Sequence, residues 1–124
     1  MKSYLLDTHI ILWWLSNDKK LSKKAKELIE DPNNHIVVSA VTIWEISIKK
    51  SLNKLEAPNN IIEELEKNSI DQLPMTCAHA QFVEQLPNIH QDPFDRLLIS
   101  QVLVENMVFV TADKVIPKYP VHIF

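Results

Sequence analysis

Four apolar runs set the frame of this chain: SYLLD (3–7), HIVVS (35–39), MVFVT (107–111) and VHIF (121–124). They are continuous rather than alternating, and helical periodicity fills the segments between them. A strand that is apolar on both faces belongs to a parallel sheet covered on both sides, and parallel neighbours need long, usually helical, crossovers. The expected fold class is therefore α/β, with helices on either face of a central, mostly parallel sheet. Helices are predicted over Thr8–Leu15, after a cap at Ser22 with Ala25, Leu28 and Ile29 as apolar face, from Ala40 to about Leu52, over Asn59–Asn68, over Thr76–Gln85, and from Pro93 onward. Ile70–Leu73 reads as a further short strand. In such sheets ligands bind outside the carboxyl ends of the strands, where loops from adjacent strands diverge.

The chain contains no glycine. Its turns must be made with Asn, Asp and Pro, as in DPNNH (31–35) and APNN (57–60). Every Gly-rich phosphate-cradling loop is excluded, so neither a P-loop nor a dinucleotide fingerprint is available. The 124 residues fit one domain, 1–124, with 46 % apolar residues to build its core. A formal charge of -3 excludes a wholly cationic nucleic-acid coat. The charge is unevenly spread: residues 1–54 hold nine lysines and six acids, residues 55–124 four basic residues and ten acids. Lys19, Lys20, Lys23, Lys24 and Lys26 form a cluster that reads either as a solvated helix face or as a track for a phosphate backbone. Cys77, the single cysteine, has no internal partner and no metal-ligand spacing, which fits a reducing compartment. The opening MKSYLLDTHIILWWL superficially resembles a secretion signal, but Asp7 and His9 interrupt it and no small-residue cleavage site follows. No stretch approaches the roughly 20 apolar residues of a membrane span. A soluble cytoplasmic protein is expected.

Four acids stand out. Asp7 ends the first strand, and Asp113 follows MVFVT. In HQDPFDRLLISQ (90–101), Asp92 and Pro93 form an ordinary helix opening, Pro lacking the donor that this position cannot use. Asp95 then shares a face with Leu98, Ile99 and Val102. Glu45 in SAVTIWEISIKK likewise shares a helix face with Val41, Ile48 and Leu52. Each acid has a plain alternative: Asp7 as a helix cap, Asp113 as the cap of a turn before Pro117, Asp95 as an acid at the positive end of a helix, Glu45 as partner of Lys49. Together they ask for more. A buried ionised carboxylate costs several kcal/mol unless paired, and Arg96 is the only arginine. A metal can neutralise such a group. Carboxylates alone make a hard oxygen site, suited to Mg²⁺ or Mn²⁺ rather than zinc, which can activate a water for attack on a phosphodiester.

LLDTHIILWWL, SAVTIWEISIKK, HQDPFDRLLISQ and FVTAD, in this order, resemble the PIN-domain family, specifically the VapC-type toxins of bacterial toxin–antitoxin pairs. The resemblance implies a compact α/β/α sandwich and a Mg²⁺- or Mn²⁺-dependent endoribonuclease. It also implies inhibition by a cognate antitoxin and a homodimer. Carried over by position, the family's acids fall on Asp7, Glu45, Asp95 and Asp113, with Asp92 as the rival to Asp95 that the helix geometry assigns to the cap. Thr8 and Thr111 flank these acids and are placed to orient water or a ligand. His9 and His90 read as structural.

Trp13, Trp14 and Trp44 are conspicuous apolar groups. Adjacent tryptophans on a helix cannot face one core, so one of Trp13 and Trp14 is expected near the surface, packing peripherally or serving the antitoxin as a groove. A haloacid-dehalogenase-type phosphatase would need Asp-x-Asp where this chain has Asp7-Thr8-His9. A receiver domain would need an acidic pair beside Asp7. The alternative of another class is a catalytically silent module that keeps the fold and only binds protein or RNA.

Overall fold

The computed structural model describes residues 2–124. Among these residues the strands are β1 (Ser3–Leu6), β2 (His35–Ser39), β3 (Asp71–Leu73), β4 (Val108–Val110) and β5 (His122–Ile123). The α-helices are α1 (Thr8–Leu15), α2 (Lys23–Glu30), α3 (Ala40–Ser51), α4 (Ile61–Lys67), α5 (Cys77–Phe82) and α6 (Pro93–Glu105). The strands form one sheet in the order β3-β2-β1-β4-β5, and every pairing is parallel. β1 lies at its centre, with Leu5 opposite Val37 on one side and Phe109 on the other.

Successive side chains of a strand point to opposite faces, and here both faces are covered. Leu5, Val37 and Phe109 pack with Val41, Leu98, Ile99 and Val102 from α3 and α6. Leu6, Ile36, Val38 and Val110 pack with Ile10, Ile11, Ala25, Ile29 and Leu65 from α1, α2 and α4. Each fully buried Leu, Ile or Phe contributes on the order of 1.5–3 kcal/mol. Burial on both faces is why β1, β2 and β4 are continuous apolar runs, and the three layers follow from it. The edge strand β3 exposes Asp71 and Gln72.

The chain runs outward from β1 through β2 to β3, then returns to place β4 on the other side of β1. Connections therefore diverge outside the carboxyl ends of β1 and β4, a topological switch point where open α/β sheets hold their ligands.

The structure trims several expected elements. The fifth helix stops at Phe82, and Val83–Gln85 tightens into a 3₁₀ turn ahead of Pro87. The fourth begins only at Ile61, with Asn60 before it making no side-chain cap bond. Leu52 lies past the end of α3 and is 56 % exposed, so the buried stripe around Glu45 is Val41, Thr42 and Ile46 rather than one reaching Leu52. DPNNH does make a turn, Asp31 accepting from the backbone N–H groups of Asn33 and Asn34. Four further chain reversals use a left-handed residue: Asn17, Asn53, Ser69 and Asn106, with φ between 52° and 58°. Each falls at a helix end, the place where glycine would ordinarily stand.

Candidate functional site

Asp7 follows β1 directly, its N–H bonded to the Val110 carbonyl of β4 at 2.9 Å. Its extended backbone lets Oδ1 cap α1 by accepting the Thr8 N–H at 2.8 Å. That leaves Oδ2, which accepts the Thr111 hydroxyl at 2.6 Å. Asp7 is 5 % exposed. Burial raises its pKa against the opposing bonds from Thr111 and Thr8. Glu45, 3 % exposed, is reached from α1 by the Thr8 hydroxyl, which donates to Oε1 at 2.7 Å. Lys49, one turn along α3, donates to its Oε2 at 2.7 Å. This hydrogen bond, partly offset by desolvation, raises the Lys49 pKa, with Asp92 and Asp95 adding to the effect.

Asp92 is the cap of α6: its Oδ1 accepts the N–H groups of Phe94 and Asp95. Asp95 lies on the face of Leu98, Ile99 and Val102, all at most 1 % exposed. Burial pushes its carboxyl up to about 7, and the charges of Asp7 and Asp92 add to that while His90 opposes it. Asp113, two residues past Thr111, gives Oδ1 to the Val115 N–H at 2.7 Å and Oδ2 to His90 at 3.1 Å. Burial alone would raise its pKa, but the bonds from His90, Val115 and Ile116 hold it below the ordinary value.

His90 closes the arrangement. Its Nε2 lies 3.1 Å from Asp95 Oδ2 and 3.1 Å from Asp113 Oδ2. Its Nδ1 accepts the Asp92 N–H at 3.1 Å. With Nδ1 accepting, the proton of the neutral ring sits on Nε2, making it the donor to Asp113, while Asp95 lies beside it as a charge contact. Burial lowers the His90 pKa, but the hydrogen bond to Asp113 and the charges of Asp95, Asp113 and Asp92 outweigh it and leave it raised. The sequence reading took this residue as structural. The available signal was its place two residues before Asp92.

Hydrogen bonds thus run continuously from Glu45 through Thr8, Asp7, Thr111 and Asp113 to His90, and a charge contact of 3.1 Å adds Asp95. Every plain role foreseen for the acids is present: the caps, the first-turn acid and the Glu45–Lys49 pair. The first-turn role still leaves Asp95 half-buried beside an apolar stripe, with His90 as its one close side-chain partner. One ligand atom from each of His90, Asp95 and Asp113 lies within 4.8 Å of the others. Asp7 joins this group through Thr111, while Glu45 is set back with both oxygens engaged. A divalent cation fits this donor set: the oxygens are hard, and the Asp95 carboxyl is raised by burial first and by the neighbouring carboxylates second, both of which an ion would offset. Trp13 and Trp14 lie outside this run. The Trp13 ring stacks obliquely on His9 at 5.9 Å, and the Trp14 indole donates to Glu30 at 3.1 Å. Trp44 is 51 % exposed, edge-on to Phe94 at 5.0 Å.

A parallel sheet with an acidic run at its switch point is the arrangement of a PIN domain, and residues 4–121 match the PIN domain family model. The chain belongs to that family. Among its relatives is Ribonuclease VapC22 of Mycobacterium tuberculosis, 24 % identical over 117 residues that cover 92 % of this chain and 89 % of the relative. The fold is shared with VapBC2 from Rickettsia felis, solved bound to a DNA fragment from its promoter, at a TM-score of 0.72 and 16 % identity, covering 98 % of this chain and 97 % of that one. VapBC-1 from nontypeable Haemophilus influenzae gives a TM-score of 0.62 at 20 % identity, with 98 % and 96 % covered.

Proposed function

We propose that this chain is the toxin of a VapBC-type toxin–antitoxin pair: a Mg²⁺- or Mn²⁺-dependent endoribonuclease, one domain over residues 1–124, acting in the cytoplasm as a homodimer and silenced by a cognate antitoxin. The observation that carries this reading is the hydrogen-bonded run of acids at the switch point of a PIN domain. A relative named as a ribonuclease supports the activity, and solved neighbours described as VapBC support the pairing. Among the described residues no helix is long and apolar enough to cross a membrane.

Asp7, Asp95 and Asp113 would hold the ion, with Glu45 at the margin of the site. A bound divalent ion supplies Lewis-acid stabilisation of charge on phosphoryl oxygens and a more acidic water. The protein's own groups do the positioning. Thr111 fixes Asp7, and Thr8 and Lys49 fix Glu45. Asp92 starts α6 so that Asp95 falls one turn inside it. His90 donates to Asp113 and sits against Asp95, holding the two carboxylates in place.

The test is cleavage of a mixed cellular RNA pool by purified protein in Mg²⁺, in Mn²⁺ and in EDTA, beside folded Asp95→Asn. Metal-dependent cutting that the variant loses by at least a hundredfold is the expected result. Equal cutting by both proteins would remove Asp95 from the site. Cutting by neither would return the chain to a catalytically silent binding module.

A further inference from the structure

The acidic run does not end in bulk solvent on the side of Thr111. Thr111 also borders a groove of about 480 Å³, whose lining includes Trp13, Lys20, Lys24, Ala112 and Phe124. Thr111 belongs to both places, its hydroxyl on Asp7 and its neighbour Ala112 in the groove. No acidic side chain lines the groove. Among the described residues Lys49 is the one lysine held in an ion pair, so Lys20 and Lys24 present their charge without a carboxylate partner. The fold does not ask for these charges. Lys23, Lys24 and Lys26 fall in the opening turns of α2 with no acid among them, which is the charge the helix dipole disfavours there. Charges placed against local stability point to a role outside the fold.

A substrate strand also needs such a track. It is a polyanion, and at the site it meets Asp7, Glu45, Asp92, Asp95 and Asp113, against which Lys49, His90 and His9 set fewer cations. Cations beside the acids are required to hold its flanking phosphates. An indole and a phenyl ring in the same groove supply what unpaired bases stack on. Trp13 is half-buried, and Phe124 is 46 % exposed.

We propose that single-stranded RNA leaving the acidic site runs along this groove, with a base against Trp13 and with Lys20 and Lys24 on two consecutive phosphates. This rests on the ribonuclease reading and adds to it where the strand goes. The Lys19–Lys26 cluster then divides: Lys20 and Lys24 line the groove, and the others lie outside it.

The experiment is fluorescence anisotropy with a fluorescein-labelled single-stranded RNA of mixed sequence, in Ca²⁺ to prevent turnover, across a salt series. Lys20→Gln/Lys24→Gln should weaken binding about tenfold and flatten the slope of log affinity against log salt by about 1.4, or 0.7 for each phosphate released. Trp13→Leu should lose about tenfold at an unchanged slope, and Trp13→Phe should recover most of it. Melting temperatures close to wild type would exclude a folding defect. Variants that bind RNA with wild-type affinity and slope would overturn the groove while leaving metal-dependent cutting, and so the ribonuclease reading, intact. A wild-type protein with no affinity for RNA would overturn both. Unchanged RNA binding with loss of co-purification with the antitoxin, or with a changed sedimentation coefficient, would assign the groove to that partner or to a second copy, and overturn the proposal.

Discussion

At the scale of single residues, the geometry of His90 decides how the site is held. An imidazole between two carboxylates can be a metal ligand or a donor, and the main chain settles which. Because the Asp92 N–H occupies Nδ1, Nε2 carries the proton and donates it to Asp113, with Asp95 alongside as a charge contact. Side chains that orient ligating carboxylates typically change metal affinity 10–100-fold when removed. His90→Ala should accordingly bind Mn²⁺ about tenfold more weakly by calorimetry, and His90→Gln, which keeps a donor, should lose less. Tighter binding by His90→Ala would show instead that the ring competes with the ion. This residue also marks what the sequence left hidden. The acids were legible because a carboxylate on an apolar stripe or at a strand end is anomalous where it stands. His90 lies in a loop without periodicity, and its partner Asp113 is 23 residues away. Only folding brings them together.

At the scale of elements, the strands and helices were legible in order and type, because β1, β2 and β4 are continuous apolar runs and each longer helix has its cap or periodicity. β3, Asp71–Leu73, is the polar exception at the sheet edge. What failed were the ends. Their position depends on tertiary bonds, as where Val83–Gln85 turns 3₁₀ or where Leu52 is left outside α3. A chain without glycine also ends its helices by an uncommon route. Asn17, Asn53 and Asn106 take the left-handed conformation at modest cost, since Asn tolerates it better than most residues. Ser69, after α4, has φ 58° without that tolerance. Ser69→Asn, and more so Ser69→Gly, should therefore stabilise the protein by about 0.5–1 kcal/mol in urea melts. A loss of stability would mean that the Ser69 side chain matters more than its backbone.

At the scale of the whole molecule, the sheet topology gathers acids from β1, α3, α6 and the loop after β4, and stability must pass through their ionisation. Burial and the neighbouring carboxylates push the Asp95 carboxyl up to about 7 in the folded protein, from an ordinary 3.8. Between about pH 4 and 7 the folded state keeps a proton that the unfolded chain has released, so this group's contribution to stability falls as pH rises, by up to about 4 kcal/mol. Asp7, also raised, acts in the same sense. The His90 contribution, whose folded pKa is raised, is complete below about 6.5 and is lost as pH climbs through the folded value. Asp113, lowered, works the other way, but only at pH near or below its ordinary 3.8. In EDTA the melting temperature should therefore decline steadily from pH 5 to 8. A divalent ion binds the deprotonated site and should reverse this, adding about 2.7 kcal/mol at a hundred times its dissociation constant. That is roughly 10 °C for a chain of this size, and the gain should be greatest at the alkaline end. Asp95→Asn removes the charge that lacks compensation. In EDTA it should melt higher than wild type above pH 7, show a flatter pH profile, and gain little from Mg²⁺. Melting curves of the two proteins at pH 5, 6, 7 and 8, each in EDTA and in Mg²⁺, make the check. A wild-type melting temperature that rises with pH in EDTA would mean that Asp95 is already neutralised within the fold, and the case for an ion at this site would lose its electrostatic basis.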